Sequence, residues 1–161
     1  MCPFLNKSAE VHNSNLIEFR HVLNCWAQRI TSVRHPGKVG DVYMLSMGLM
    51  TYFSRGVTVR ECVFLKPLYE GGGGNGYMIR FSGNNCLYQD CEAIDSVHNF
   101  SFFSMWTSGN VVHRCLARDG RPSTDLHGHL SMANLFDCTT EERDYLESVY
   151  RPFGTCDSRP Y

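Results

Sequence analysis

The densest group of residues that could carry chemistry lies in the segment RDGRPSTDLHGHLSMANLFD, residues 118–137. Within it, Asp125, His127 and His129 occupy alternate positions. Because successive side chains of a strand point to opposite faces, we expect these three on one face. A carboxylate that orients an imidazole suits general acid–base catalysis. The same three side chains can also bind a divalent metal such as zinc, manganese or iron.

Charged residues upstream extend these possibilities. Arg121 or Arg114 can neutralise a substrate carboxylate through a bidentate contact, and a lyase would use His127 as the base with Arg121 as the cation. A hydrolase needs two carboxylates instead, and Asp119 with Asp125 is the nearest pair. Two further interpretations stay open: a face that binds sugar without chemistry, and a polar outer face that is simply solvated.

The predicted substrate-binding residues lie close to this group along the chain. His113 ends the strand-like segment before it, and strands stacked in register would bring His113 and Asp90 near it. Trp106 lies in the corner-like segment SMWTSGN, where its ring is best placed to stack on a sugar. The predicted substrate-binding residues are therefore His129, His113, Arg114 and Trp106.

Composition argues against several other functions. The formal net charge is −1, with acidic and basic residues interspersed, which disfavours a nucleic-acid or membrane-surface binder. No apolar run reaches transmembrane length, and the start MCPFLNKSAE lacks the pattern of a signal peptide. No cysteines have CxxC spacing, and no GxSxG elbow is present. The Gly-rich segment at residues 71–76 precedes the strand-like YMIRF, which predicts a loop insertion rather than a phosphate-binding loop.

A repeat marked by cysteines must position these candidate residues. The segments GVTVREC, CLYQDC, GNVVHRC and ANLFDC end at Cys62, Cys91, Cys115 and Cys138, with separations of 29, 24 and 23 residues. Strand-like units repeating at this period indicate a parallel β-solenoid, and the Gly and Asn residues between them suit corners. We expect the four cysteines to form one buried, reduced and stacked row.

The predicted fold class is thus all-β, a single solenoid domain over residues 1–161 with about five or six rungs. A short helix is predicted near residues 140–150, because Thr139 and Glu142 have capping-box spacing and an apolar face follows, formed by Tyr145, Leu146, Val149 and Tyr150. An ordered lateral loop is the alternative there. Uncapped solenoid ends expose strand edges, which predicts self-association.

Three segments resemble right-handed parallel β-helix proteins of the pectate-lyase-like superfamily, and more narrowly poorly characterised bacterial members thought to act on polysaccharides. The segments are VLNCWAQRITSV, FSFFSMWTSGNVVHRC and STDLHGHLSMANLFD, and the resemblance spans roughly residues 15–154. It implies a right-handed parallel β-helix, a secreted protein, and a D-x-H element at Asp125 and His127. Lyases of the superfamily typically use an Arg or Lys base with calcium, whereas this chain has no aspartate cluster resembling their calcium site. Its members are generally longer, so the chain can also be interpreted as a fragment of a longer β-helix.

The sequence therefore predicts a carbohydrate-active β-helix, a polysaccharide lyase or glycoside hydrolase, with substrate in a lateral groove centred on Asp125 and His127. The expected partner is a polysaccharide or oligosaccharide rather than nucleic acid or a membrane. The cofactor stays open, with a divalent metal at Asp125, His127 and His129 as one possibility. The alternative is a non-enzymatic structural or adhesive β-solenoid that self-assembles or binds glycans. Convergence of Asp125, His127 and Arg121 in a groove would favour the enzyme.

Overall fold

The part of the chain that the structure describes contains fifteen short strands, all paired in parallel. The structure is a computed structural model that describes residues 14–34, 36–37, 40–69, 75–121, 123–127 and 131–148. The predicted Gly-rich insertion lies mostly outside the described residues. Over the ranges that are described there is no helix, and hence none long and apolar enough to cross a membrane.

The strands form three parallel sheets that the chain visits in turn. Sheet A has the spatial order β1 (Asn15–Arg20), β3 (Met47–Arg55), β6 (Tyr77–Asn84), β9 (His98–Phe102), β12 (Thr124–Asp125) and β15 (Leu146–Glu147). Sheet B contains β2 (Trp26–Gln28), β4 (Thr58–Arg60), β7 (Leu87–Gln89), β10 (Val111–His113) and β13 (Leu135–Asp137). Sheet C contains β5 (Val63–Leu65), β8 (Glu92–Ile94), β11 (Leu116–Arg118) and β14 (Thr140–Glu142). Neighbours in each sheet come from successive repeats, which is the arrangement of a parallel β-solenoid.

Residues with positive φ form the corners between the sheets, and they stack from one repeat to the next. Corner 1 precedes each strand of sheet B and contains Asn24, Gly56, Asn85, Gly109 and Ala133. Corner 2 follows each strand of sheet B and contains Arg29, Glu61, Asp90, Arg114 and Cys138. Corner 3 follows sheet C and contains Lys66, Asp95, Asp119 and Arg143. The left-handed conformation turns the chain sharply, and only Gly and Asn adopt it readily.

Ion pairs hold the charged corners together. In corner 2, Arg114 binds Asp90 through two bonds of 2.8 Å, and in corner 3 Arg143 makes a similar pair with Asp119. These side chains are largely exposed, so each pair adds little to stability by itself. Stacking opposite charges does, however, favour the register in which successive corners lie directly above one another.

Large aromatic residues fill the interior between the sheets. Phe81 stacks on Phe102 with ring centroids 4.4 Å apart, and Tyr88 packs edge-on against Phe81 at 4.1 Å. All three are fully buried. The Tyr88 hydroxyl donates a 3.0 Å hydrogen bond to Oγ1 of Thr51, so its polar end is satisfied inside the core. Each such aromatic stabilises the fold by roughly 1.5–3 kcal/mol through burial alone.

The cysteine row is confirmed for three residues and wrong for the fourth. Cys62, Cys91 and Cys115 are buried, reduced and stacked in consecutive repeats. Each thiol donates to the carbonyl two residues earlier, at 3.2, 3.3 and 3.5 Å. Cys138 is exposed, because His113 pairs with Asp137 and Leu116 with Thr140. That register aligns Cys138 with Arg114 in corner 2. The position equivalent to Cys115 is therefore occupied by Thr139.

The helix predicted near residues 140–150 is wrong, and strands occupy that segment as far as it is described. Residues of β14 pair with β11, and β15 pairs with β12. Arg143, between them, has a φ of 51°, which a helix does not allow. The capping-box pattern is a local preference worth about 1 kcal/mol, whereas the edge of the preceding repeat offers a row of unpaired backbone groups. Strand pairing therefore prevails over helix propensity.

Candidate functional site

Two histidines flank a buried aspartate on sheet A. His98 begins β9, Asp125 ends β12, and His127 lies two residues beyond the end of β12. Asp125 is 0% exposed and His98 is 5% exposed, while His127 is partly exposed. Oδ2 of Asp125 lies 2.7 Å from Nδ1 of His127, and Oδ1 lies 3.6 Å from Nδ1 of His98. The carboxylate therefore sits between two imidazoles, one of which reaches solvent.

Register across sheet A explains how Asp125 reaches this position. One residue from each of the six strands pairs in register with the next, in the order Glu18, Met50, Arg80, Ser101, Asp125 and Glu147. Register partners in a parallel sheet project on the same face. Asp125 therefore belongs to a row that is polar apart from Met50 and lies on the face opposite the core phenylalanines. The spacing of Asp125 and His127 predicted that they lie close together on one strand. They are in hydrogen-bond contact, but the strand ends at Asp125, so His127 lies beyond it.

Aromatic rings enclose the imidazoles. Tyr77 stacks on His98 with centroids 4.8 Å apart, and Phe103 stacks on His127 at 5.4 Å with only 10° between the ring planes. Tyr77 also meets His127 edge-on at 5.8 Å. These contacts fix the orientation of both imidazole rings. They also keep water away from one side of each ring, which strengthens electrostatic interactions at the site.

Arg80 is a buried cation on this face, and sequence reasoning missed it. It lies in β6 with 8% exposure, and its guanidinium carbon is 3.3 Å from the centroid of Phe103. Burial lowers the pKa of Arg80 to about 10, which still leaves it charged at neutral pH. The ring that stacks on His127 thus carries an arginine as well. The only sequence signal was an arginine inside the otherwise apolar stretch YMIRF.

A buried hydroxyl lies between this cation and the aspartate. Ser101 is 0% exposed, and its register partners are Arg80 and Asp125. Its Oγ makes no hydrogen bond to any part of the chain that the structure describes. A buried hydroxyl without a partner is unfavourable, and such positions are commonly completed by water or a ligand.

Several residues predicted for the site lie elsewhere. Asp119 belongs to corner 3, where a hydrogen bond from Arg143 lowers the pKa of its carboxyl group. Arg121 follows corner 3 with an exposed side chain and a backbone N–H bonded to the carbonyl of Ser96. His129 lies outside the described residues, so its predicted place beside His127 stays a prediction.

The predicted substrate-binding residues of sheet B form their own contacts. His113 pairs with Asp137 at 2.8 Å, and Arg114 binds Asp90, which lowers the pKa of that carboxyl group. The repeats place His113 on sheet B and Asp90 in the corner that follows it, whereas Asp125 lies on sheet A. The structure does not join them to Asp125.

Trp106 is 39% exposed, but its ring makes a stacking contact and its ring nitrogen makes a hydrogen bond. One face stacks on Phe53 at 4.6 Å with a 12° interplanar angle, and Nε1 donates to the carbonyl of Ser82 at 3.3 Å. Phe53 in turn stacks on His21. These rings stack on one another, so Phe53 presents mainly its edge to solvent. A sugar needs an open ring face, and the stack with Phe53 already covers one face of Trp106.

No protein-family model, curated protein or solved structure matches this chain significantly. The resemblance to the pectate-lyase-like superfamily therefore stays a prediction. What the site can do follows from its own geometry. It holds a carboxylate bonded to an imidazole, a second imidazole, and an arginine behind an aromatic ring, which suits proton transfer beside a bound anion or coordination of a metal.

Proposed function

We propose that the protein is a carbohydrate-active β-solenoid, a polysaccharide lyase whose base is His127. The observation that carries this proposal is the 2.7 Å hydrogen bond between Nδ1 of His127 and buried Asp125. When the carboxylate accepts the Nδ1 proton of the neutral ring, the lone pair lies on Nε2. Since His127 is partly exposed, this nitrogen can take a proton from a bound substrate.

The proposed reaction is a β-elimination on a uronate-containing polysaccharide. Nε2 of His127 takes the proton from the carbon next to the carboxylate. The electron pair left on that carbon forms a double bond to its neighbour, and the bond from that neighbour to the glycosidic oxygen breaks. The oxygen leaves with a proton supplied by the imidazolium or by water. Charge accumulates on the carboxylate in the transition state, so a cation there accelerates the reaction.

Arg80 is the first candidate for that cation, because it shares the Phe103 ring with His127. Arg121, proposed from the sequence, is the second, since its exposed side chain follows corner 3 shortly before β12. Arginine suits the role because its planar guanidinium binds a carboxylate through two hydrogen bonds.

A glycoside hydrolase is the less favoured chemistry. It requires two carboxylates on either side of the scissile bond. The predicted pair is Asp119 with Asp125, but Asp119 is bound by Arg143 and Asp125 by His127. Neither carboxylate is therefore arranged as the acid of a hydrolase.

The finer description of the fold belongs to this proposal. We propose a right-handed β-helix of the pectate-lyase-like type with six turns, one for each strand of sheet A. Substrate would lie along sheet A against the partly exposed His127, whose ring is bonded to the buried Asp125. Parallel strands joined by crossovers within one sheet are overwhelmingly right-handed.

A panel of acidic and neutral polysaccharides tests the function, with ultraviolet absorbance reporting unsaturated products and a reducing-end assay reporting hydrolysis. We expect unsaturated products from an acidic polymer. His127→Gln should lower the rate by about 100-fold or more, the usual contribution of a general base, and Asp125→Asn should do the same by leaving the imidazole unoriented. The matched control is His113→Gln, which removes a histidine from the comparable His113–Asp137 pair on sheet B and should leave the rate unchanged.

Two arginine variants assign the cation. Arg80→Lys keeps the charge but loses the bidentate geometry, whereas Arg121→Gln removes an exposed charge. A loss of rate confined to the first would identify Arg80. If no polymer yields products and His127→Gln binds glycans as well as the wild type, the non-enzymatic structural or adhesive solenoid replaces the lyase.

A further inference from the structure

We infer that His98, Asp125 and His127 form a binding site for a divalent transition-metal ion. Each of the three side chains offers one ligand atom, and these atoms all lie within 4.8 Å of one another. The predicted metal set paired Asp125 and His127 with His129. The structure instead brings in His98, which precedes Asp125 by one repeat and was not suspected from the sequence.

The kinds of ligand atom indicate the kind of metal. Two imidazole nitrogens and one carboxylate oxygen suit zinc, cobalt, manganese or iron, whereas calcium and magnesium prefer sites made of oxygen atoms. Three protein ligands are also the number found in catalytic zinc sites, which keep the fourth position for water or substrate. The site is therefore expected to bind the ion without enclosing it completely.

The surroundings of the ligands fit a metal site. Nδ1 of His98 lies 2.7 Å from the carbonyl oxygen of Ser123, to which it donates. Metal-binding histidines generally make such a bond with one ring nitrogen, because it orients the ring and makes the other nitrogen a better ligand. The Tyr77 and Phe103 rings hold the two imidazoles in place. Two of the ligands lie on paired strands, which makes their positions rigid.

Binding requires a small movement, and His127 is the residue able to make it. Zinc–nitrogen bonds of about 2.0–2.1 Å place the ligands of a tetrahedral ion about 3.4 Å apart, so the cluster must contract slightly. His98 and Asp125 are buried within strands, whereas His127 lies just beyond β12 and is partly exposed. A small shift of this side chain, with its ring still stacked on Phe103, can close the set.

Metal binding and base catalysis would use His127 in mutually exclusive ways. A neutral imidazole that coordinates through one nitrogen carries its proton on the other, so it has no lone pair left to accept a substrate proton. A bound ion would therefore inhibit the proposed lyase. The inference itself does not rest on that function, because the ion can bind whether or not the protein acts on polysaccharides.

The test is direct binding of Co²⁺ to the purified full chain after removal of metals with a chelator. Visible absorbance and calorimetry would follow the titration, and Zn²⁺ would then be added as a competitor. Because the exposed thiol of Cys138 could bind cobalt, every protein would carry Cys138→Ser. We expect saturable binding of one ion per chain, displaced by Zn²⁺.

Variants assign the ion to the cluster. Each loss of a ligand should weaken cobalt binding by about 100-fold, the upper end of the effect of changing residues that support metal ligands; the variants are His98→Gln, Asp125→Asn and His127→Gln. The control His113→Gln should bind cobalt as tightly as the protein without it. Thermal unfolding checks that each variant folds. If His98→Gln does not fold, the nearly isosteric Asp125→Asn decides. Absence of saturable binding, or unchanged affinity in folded His98→Gln or Asp125→Asn, overturns the inference. A failed lyase assay would leave it intact.

Discussion

Asp125 shows how a buried charge is kept in this fold. The carboxylate is completely buried, which is costly unless neighbouring groups compensate. Both of its oxygens face an imidazole nitrogen, at 2.7 and 3.6 Å. A protein that needed only a stable sheet would gain more from an apolar residue here. Its presence beside two histidines is therefore consistent with the roles in binding and catalysis proposed above.

Glu141 is a second carboxyl group removed from water, although only partly buried, and it makes stability depend on pH. Its register partner is Ala117, which is fully buried, and its Oε2 makes no hydrogen bond within the described residues. Burial, together with the charge of Asp144, raises the pKa of Glu141 from 4.5 to about 7. The folded protein thus holds this proton more tightly than the unfolded chain does.

The sign of the pH effect follows from that difference. Protonated Glu141 stabilises the folded state fully below pH 4.5, and this stabilisation is lost as the pH rises towards about 7. We therefore expect the urea midpoint to fall between pH 5 and pH 8 by this contribution, on this linkage argument. Glu141→Gln should make the urea midpoint less dependent on pH. Glu142→Gln changes the neighbouring exposed residue, which is bound to Arg118, and should leave the pH dependence of the midpoint unchanged. Equal slopes in both variants would rule out Glu141 as the cause.

At the scale of elements, the corners determine how the repeats stack. Corner 1 contains Gly109 with a φ of 68° and, one repeat later, Ala133 with a φ of 55°. Asn85, one repeat before Gly109, places its side-chain oxygen where a Cβ of residue 109 would lie. The same corner thus needs a glycine in one repeat and tolerates alanine in the next.

This difference predicts opposite effects of two small substitutions. Gly109→Ala should lower the free energy of unfolding by about 2 kcal/mol, because it adds the left-handed penalty of about 1–2 kcal/mol to a clash with Asn85. Ala133→Gly should leave stability unchanged or raise it by up to about 1 kcal/mol, since it removes that penalty. Denaturant unfolding measures both. A Gly109→Ala protein as stable as the wild type would contradict the stacked-corner geometry.

At the scale of the whole molecule, the outermost strands expose apolar side chains. In the first repeat, Leu23 is 69% and Trp26 is 73% exposed, and in the last described repeats Leu135 is 53% and Leu146 is 49% exposed. β2 and β13 are the outer strands of sheet B. Unpaired strand edges with apolar residues favour pairing with another chain.

We therefore predict that the protein self-associates through these edges. Light scattering after size-exclusion chromatography should show species larger than a monomer that dissociate on dilution. Trp26→Lys and Leu135→Lys should shift the distribution towards monomer, because a lysine on an edge strand opposes pairing. Leu45→Lys is the control, since Leu45 is 44% exposed but lies outside the outermost strands. A wild-type protein that stays monomeric at high concentration would contradict the prediction.

The sequence by itself determined the all-β parallel architecture, because a solenoid repeats the same local pattern in every turn. The recurring cysteine segments and the Gly and Asn corners reveal the period without knowledge of contacts. They also predicted the buried positions of Cys62, Cys91 and Cys115, and the spacing of Asp125 and His127 predicted that these two meet. Each of these features depends on residues that are neighbours in sequence or that recur at a fixed period.

Only the tertiary structure decided what lies beside them. His98 and Arg80 join the site through the register of sheet A, and no local pattern encodes a register that crosses repeats of unequal length. The same register places Cys138 in a corner. Strands form in place of the predicted helix near residues 140–150, because backbone hydrogen bonds to the preceding repeat outweigh a local capping preference. In a solenoid, the sequence alone predicts the repeats, whereas the strand pairing between successive repeats determines which side chains are in contact.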